Sequence, residues 1–316
     1  MKTSSLLMRC LRGMGKVVRH VRNGSLLERV RWEINRAQIS SSKRKWRRLI
    51  AGRDHVDYSI LKGVTMRLYH DSTLSPMIVA GGYEMNERLF IRRYLRPGDC
   101  FVDIGANIGL FSLEAAVVVG KAGKVYSFEP NPKTYDHLQE NIRINNLVNM
   151  TALKCGVSSV HGTARLWVPA DNFDAWSSFG KPTAGERFES EDVPVVTLDE
   201  FVQANQLAGC ISMIKIDVEG WETAVLTGGL NCLAGSDAPL LQVEFTQQAA
   251  LNANSSCAEL FNQITSLGYT VCAYDHVKNR LDVVEKNLDW EYENLFATKN
   301  LERANQRLVI GRRYGR

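Results

Sequence analysis

No run of apolar residues in this chain approaches the ~20 needed to span a bilayer. No apolar stretch is followed by a small-residue cleavage site either. Both absences argue for a cytoplasmic protein over a membrane-spanning or secreted one. The seven cysteines, at 10, 100, 155, 210, 232, 257 and 272, form no C-x-x-C pair, which removes a thioredoxin-type redox motif. Their odd number, and the apolar surroundings of Cys100, Cys155 and Cys272, predict reduced core thiols. No His or Cys set has zinc spacing. The six histidines are scattered, and His161 and His276 read as ordinary surface residues on loops near the expected crevice. There is no G-x-G-x-x-G, no internal repeat and no low-complexity segment.

Acids are scarce in one place. Residues 1–53 hold 15 Lys and Arg against Glu28 and Glu33, a net charge of +13, whereas the remainder holds 24 against 32 and is −8. Within the arm, Leu7, Leu11, Met14, Val18 and Val21 recur at helical spacing with arginines on other faces. A second helix is expected from Leu26 to Ile39, and Lys43–Arg48 is a basic knot around Trp46. Such an arm suits an anionic membrane surface and, less well, nucleic acid. In a eukaryote it also has the composition of a mitochondrial presequence. A solvated arm with no specific partner is an equal reading.

What is present is globular: 316 residues, 45% hydrophobic and 23% charged, enough for one large domain with attachments. Short apolar pieces over residues 56–79, Met77–Val79 among them, predict a small antiparallel β element, and Tyr83–Leu95 predicts a helix. Arg96-Pro97-Gly98-Asp99 then marks a strong turn. The expected division is an arm over 1–53, a β and helix extension over 54–97, and a main domain over 98–316.

Strands and helices alternate in that domain. Strands are expected at Phe101–Ile104, Lys124–Phe128, Met150–Cys155, Ile211–Ile216, Leu240–Phe245, Tyr269–Tyr274 and Asn294–Thr298. Helices are expected at Leu110–Val119, Tyr135–Ile144, Glu222–Leu233 and Ala258–Leu267. This is the pattern of a doubly wound, mostly parallel sheet. Residues 281–298 leave no room for a crossover helix, so the last strand should run antiparallel. An insertion at about 157–197 interrupts the alternation: Thr163–Val168 and Val193–Val196 read as a strand pair around a loop, Asp171–Glu191, placed to act as a substrate lid. Thr197 and Glu200 have capping-box spacing for a helix over Leu198–Ala204.

The stretch Cys100–Phe111 (CFVDIGANIGLF) carries the first chemical signal. An apolar strand runs into Asp103, Gly105 and Gly109, and then a helix begins, so the backbone can turn sharply and present free N–H groups to a ligand. A dinucleotide fingerprint would put its first glycine where Asp103 sits. An acid there favours a ligand with a cation nearby, such as the ammonium of a methionine moiety. Glu129, 24 residues beyond Gly105 at the end of the second strand, is placed to accept hydrogen bonds from ribose hydroxyls. At the end of the fourth strand, Lys215-Ile216-Asp217-Val218-Glu219-Gly220 puts Lys215 and Asp217 on one face. A lysine in a buried strand needs a carboxylate, Asp217 or Glu244 being the candidates. Asp217 or Glu219 is then the candidate acceptor of a substrate proton, against the plainer reading of a structural ion pair. Three carboxylates at one rim also suit Mg²⁺, but no Asp-Asp or Asn-Asp spacing sharpens that, and no metal is assigned.

Together, Gly82-Tyr83-Glu84, Phe101–Gly109, Phe128-Glu129-Pro130, Val196-Thr197-Leu198-Asp199 and Lys215–Gly220 make this chain resemble the FkbM family of S-adenosylmethionine-dependent methyltransferases over roughly residues 81–300. The resemblance implies a class I methyltransferase, Rossmann-like sheet of seven strands, with S-adenosylmethionine as cofactor. It implies methyl transfer to a hydroxyl of a sugar, glycolipid or related natural product. It places Asp103, Gly105, Asn107 and Glu129 at the cofactor; Ala106, Gly109 and Asp217 are expected beside them, and Lys215, Asp217 and Glu219 are the residues read above as candidates for the chemistry. The basic arm lies outside it. Competing readings are an RNA 2′-O-methyltransferase, disfavoured by the acidic main domain, and a non-catalytic membrane-surface module, disfavoured by the intact glycine turn. A dehydrogenase is disfavoured by Asp103.

Overall fold

The computed structural model describes residues 44–72, 74–169, 177–180, 188–286, 290 and 292–311. The two helices expected in the arm, with the surface roles given to them, and most of the loop Asp171–Glu191 lie outside the described residues. Residues 44–50 are helical. Trp46 at the centre of the basic knot is 7% exposed and joins the apolar core beside Leu49 and Ile50.

Alternation of buried Val64, Met66 and Leu68 with more exposed neighbours makes β2 (Val64–Tyr69), which pairs antiparallel with β1 (His55–Leu61). Met77–Val79, expected to extend this β element, are instead helical, within Leu74–Ala80. An apolar triplet fits either period. Here Leu74, Ser75, Ile78 and Val79 fall on one buried helical face, and Ser75 Oγ accepts from the Tyr69 N–H at 3.1 Å. The next helix, Met85–Tyr94, begins later than expected because Glu84 sits in the left-handed region at φ +46°. Arg88 and Arg92, one turn apart, clamp the buried Glu114 of helix Leu110–Val119, each with a donor at 2.8 Å. That clamp fixes the extension to the main domain.

The main domain runs β3 (Cys100–Ile104), β4 (Lys124–Phe128), β5 (Met150–Leu153), β6 (Gly156–Val157), β7 (Gly162–Pro169), β8 (Phe188–Val196), β9 (Ile211–Ile216), β10 (Leu240–Phe245), β11 (Thr270–Asp275), β12 (Arg280–Val283) and β13 (Glu293–Thr298). Strands β6, β8 and β7 form a small sheet of their own, and the other eight lie in the order β12-β11-β13-β10-β9-β3-β4-β5. β3, β4, β5, β9 and β10 are parallel neighbours, while β13 runs antiparallel to both β10 and β11. The seven expected strands and the reversed last one are therefore present. The eighth, β12, corrects the count and adds a second reversed strand at the edge. Its hairpin rests on an Asp turn that sequence reading passed over: Asp275 Oδ1 accepts from the Val277 and Lys278 N–H groups, and Asn279 takes φ +57°.

The helix expected at Glu222–Leu233 is two, Glu222–Thr227 and Leu230–Ala234. The break falls at Gly228-Gly229, where a Cβ on Gly228 would stand 2.0 Å from the Ser158 carbonyl oxygen. Thr197 and Glu200 form both halves of their capping box. One apolar cluster covers each face of the large sheet. Phe101, Leu113, Met213, Leu240 and Phe296 belong to one, and Val102, Ile104, Ile214, Ile216 and Phe245 to the other. The chain winds outward from β3 in one direction and from β9 in the other, so their shared C-terminal edge is a switch point where ligands of open α/β sheets bind. All six described cysteines are free. No helix among the described residues is long and apolar enough to cross a membrane.

Candidate active site

The turn after β3 is built by contact between backbones. Gly105 adopts φ +83°, and a Cβ there would lie 1.8 Å from the carbonyl oxygen of Asp217, so β9 closes directly on the turn. Its N–H and that of Ala106 both donate to the Phe128 carbonyl, at 3.0 and 2.9 Å. Asn107 is also left-handed, at φ +50°, and its N–H donates to Glu129 Oε2 at 2.9 Å. Gly109, at φ +95°, ends the turn with a Cβ position 2.6 Å from Leu138 Cδ1, and helix Leu110–Val119 follows. Glu129, 5% exposed, also accepts from the Asn131 N–H at Oε1, 2.9 Å away. The glycine turn and the expected ribose acid are thus one hydrogen-bonded unit.

Behind this turn a polar row crosses the sheet. Ser127, Asp103, Lys215 and Gln242 are successive partners on β4, β3, β9 and β10, and all are buried. Ser112 links Ser127, at 2.7 Å, to Asp103 Oδ2, at 2.5 Å. Lys215 Nζ donates to Asp217 Oδ2 at 2.8 Å and lies 3.8 Å from Asp103 Oδ1, over the ring of Phe111. Lys215 therefore serves Asp217 and Asp103, not Glu244. Burial alone would lower its ammonium, but the two carboxylates more than offset this and hold it above its usual value. Asp103 is pushed up by burial and pulled back by Lys215. The cation for which its position asks stands within the chain.

In front of the row, acids gather. Asp217 is partly open, and its N–H donates to the Ile104 carbonyl at 3.0 Å. Glu219 takes φ +52°, and Gly220, at φ +101°, has a Cβ position 2.2 Å from the Ala249 carbonyl oxygen. Oxygens of Asp217, Glu219 and Glu244 all lie within 4.8 Å of one another. Burial, reinforced by Asp217, holds Glu219 and Glu244 well above the usual carboxylate range. Residues 177–180 lie across this rim: Ser177 Oγ accepts from Asn131 Nδ2 at 3.0 Å, Ser178 Oγ donates to the Glu219 carbonyl at 2.6 Å, and Phe179 packs on Trp221. A cavity of about 500 Å³ bordered by Gln203, Leu207, Ile211 and Pro239 lies at the opposite end of the strands, away from this chemistry.

Two acids of the site escaped sequence reasoning. Glu84 reaches the rim from ahead of the domain. Its Oε1 accepts from Tyr292 Oη at 2.7 Å and Asn294 Nδ2 at 3.2 Å, and burial raises the carboxyl to about 7. Its signal was the Gly82-Tyr83-Glu84 triplet, which points to no role by itself. Glu222, 3% exposed, closes the loop after β9 by accepting at Oε1 from the Val218 and Gly220 N–H groups, each at 3.2 Å. Burial lifts it to about 7, partly opposed by those N–H groups. The folded pKa exceeds the ordinary unfolded value, so the stabilising neutral form is fully present below about 4.5. Stability should fall as pH rises from there to about 7, by roughly 1.4 kcal/mol per pH unit, and level off above. Urea unfolding across that window should show Glu222→Gln with a flatter slope; an unchanged slope would place the titration elsewhere.

Comparison with known proteins gives the following. The methyltransferase FkbM domain family matches residues 103–271, more than half of the chain. Methyltransferase sdnD of Sordaria araneosa is 37% identical over 153 residues, covering 40% of this chain and 59% of that protein. Hexuronic acid methyltransferase AglP of Haloferax volcanii is 29% identical over 149 residues, 46% of this chain and 56% of that one. The 31-O-demethyl-FK506 methyltransferase FkbM of Streptomyces tacrolimicus is 27% identical over 198 residues, 52% and 75% of the two chains. The chain spans less than two thirds of the length of the first two.

Proposed function

The chain belongs to the FkbM methyltransferase family, and from that footing we propose that it moves a methyl group from S-adenosylmethionine to a hydroxyl of a sugar, glycolipid or related natural product. The observation that carries this reading is the union of the glycine turn, clamped by Glu129, with an acidic rim across the Gly105–Asp217 contact. The donor set fits the cofactor. Glu129 suits a pair of ribose hydroxyls, and a rim of carboxylates favours a cationic sulfonium and ammonium over a pyrophosphate. Gly105, Ala106, Asn107, Gly109 and Asp217 would border it, whereas Asp103, expected there from the sequence, is fully buried behind the turn and supports it through Lys215 and Ser112. The named relatives, one acting on a hexuronic acid and one on a 31-O-demethyl compound, support an oxygen acceptor.

S-adenosylmethionine, when bound, supplies an electrophilic methyl carbon. The work left to the chain is to hold an acceptor hydroxyl in line, exclude water and take the hydroxyl proton. Asp217, steadied by Lys215, and Glu219, whose carboxylate takes no hydrogen bond from any described residue, are the acceptors proposed for that proton. Residues 177–180 border the same space and are proposed as part of a substrate lid.

Saturating S-adenosylmethionine should raise the melting temperature by several degrees, as about 2.7 kcal/mol at a hundredfold excess over Kd implies. NAD should leave it unchanged. Glu129→Ala should remove the shift. Asp217→Asn should keep it while losing transfer of labelled methyl to an accepted sugar or glycolipid. Equal shifts from both nucleotides would overturn the cofactor assignment. Labelled product on RNA alone would overturn the acceptor class.

A further inference from the structure

Asp217, Glu219 and Glu244 bring three carboxylates from the ends of two adjacent strands to within 4.8 Å of one another, yet no Lys or Arg among the described residues pairs with Glu219 or Glu244. The single charge of Lys215 is already shared between Asp217 and Asp103. Ionised together, the three would carry more negative charge than the neighbourhood balances.

Orphaned polar atoms provide a separate observation. Glu244, 4% exposed, has an Oε2 with no hydrogen-bond partner. Gln242 precedes it by two residues on the same face of β10, is 1% exposed, and has neither its carboxamide oxygen nor its nitrogen partnered. Thr246 Oγ1, two residues beyond Glu244, and Glu84 Oε2 are buried and unpartnered too. Buried polar atoms are almost always satisfied by protein, water or an ion, so this concentration around one carboxylate trio points to a missing ligand.

We propose that Asp217, Glu219 and Glu244 form a binding site for one divalent cation of the Mg²⁺, Mn²⁺ or Ca²⁺ class. The donors are all carboxylate oxygens, with no His or Cys among them, which selects a hard cation. Three oxygens at the full 4.8 Å spacing would stand about 2.8 Å from a common centre, so the carboxylates must close by a few tenths of an ångström to reach oxygen–calcium distances and further for magnesium. Three protein oxygens leave coordination positions free. The use of the ion, to hold and acidify an acceptor hydroxyl beside the cofactor turn, rests on the methyltransferase reading; its binding does not.

The test is titration of the full chain with Mn²⁺ alone, free ion being followed by electron paramagnetic resonance. One Mn²⁺ per chain should bind, displaced by Mg²⁺ or Ca²⁺, and Glu219→Gln and Glu244→Gln should each weaken it at least tenfold. Asp282→Asn, which alters a half-buried acid paired with Arg280 on β12, should leave it unchanged. Circular dichroism checks that each variant folds, and the half-buried Glu219 carries the test if the Glu244 variant does not. No binding at millimolar Mn²⁺, or binding indifferent to both substitutions, overturns the site. A shift from S-adenosylmethionine in EDTA without Mn²⁺ binding removes the ion and leaves the methyltransferase reading. Mn²⁺ binding with no such shift does the reverse.

Discussion

Gly105→Ala should cost about 4 kcal/mol or more, among the largest effects of any single substitution in this chain. The new Cβ would fall 1.8 Å from the Asp217 carbonyl oxygen, and that oxygen belongs to backbone tied to β3 by the Asp217 N–H bond to Ile104. Neither strand can give way without parting the two sides of the site. Gly98→Ala provides the control. Gly98 has an equally left-handed backbone at φ +90° but open space around its Cβ position, so it should cost only the conformational penalty of about 1–2 kcal/mol. Urea unfolding of the two variants separates contact from conformation. Equal losses would mean that the close approach of β9 contributes nothing.

Lys215→Met should cost about 3–5 kcal/mol, because it strands the fully buried Asp103 carboxylate without its cation. The double variant Lys215→Met with Asp103→Asn should recover much of that loss, since the amide carries no charge to strand. Asp103→Asn alone should be milder, for Lys215 keeps its 2.8 Å bond to Asp217. A double-mutant cycle by urea unfolding should therefore show strong coupling. Additive losses would mean that Asp103 is held by Ser112 alone.

The parts of this molecule legible in its sequence are those whose signal is local. An apolar run ending in acid and glycine placed β3 and its turn, and Thr197 with Glu200 announced a cap that both residues complete. Lys215 in a buried strand demanded a carboxylate partner, and Asp217 two residues on supplied it. The missed features depend on chain that is distant in sequence. Gly228-Gly229 does offer a local breaker signal, but the exclusion of any side chain from Gly228 comes from the Ser158 carbonyl that stands over it. Glu84 becomes part of the site through Tyr292 and Asn294, more than two hundred positions away. Gln242 sits in a strand as apolar as its neighbours, and only the rung it shares with Lys215 makes it notable. The second reversed strand hangs on one Asp turn within a stretch that reads as ordinary loop.

The placement of β13 between β10 and β11 sets a timetable for synthesis. β11 reaches the rest of the sheet only across β13, so when β11 and β12 leave the ribosome the edge that will receive them does not yet exist. Their docking therefore depends on residues 293–298, later in the chain, which fill the slot from the opposite direction. The same late segment brings Asn294, with Tyr292 just ahead of it, to latch Glu84. The cofactor turn is thus built from contacts nearer in sequence, while this outer wall closes only through contacts more than two hundred residues apart, the kind of closure that slows folding.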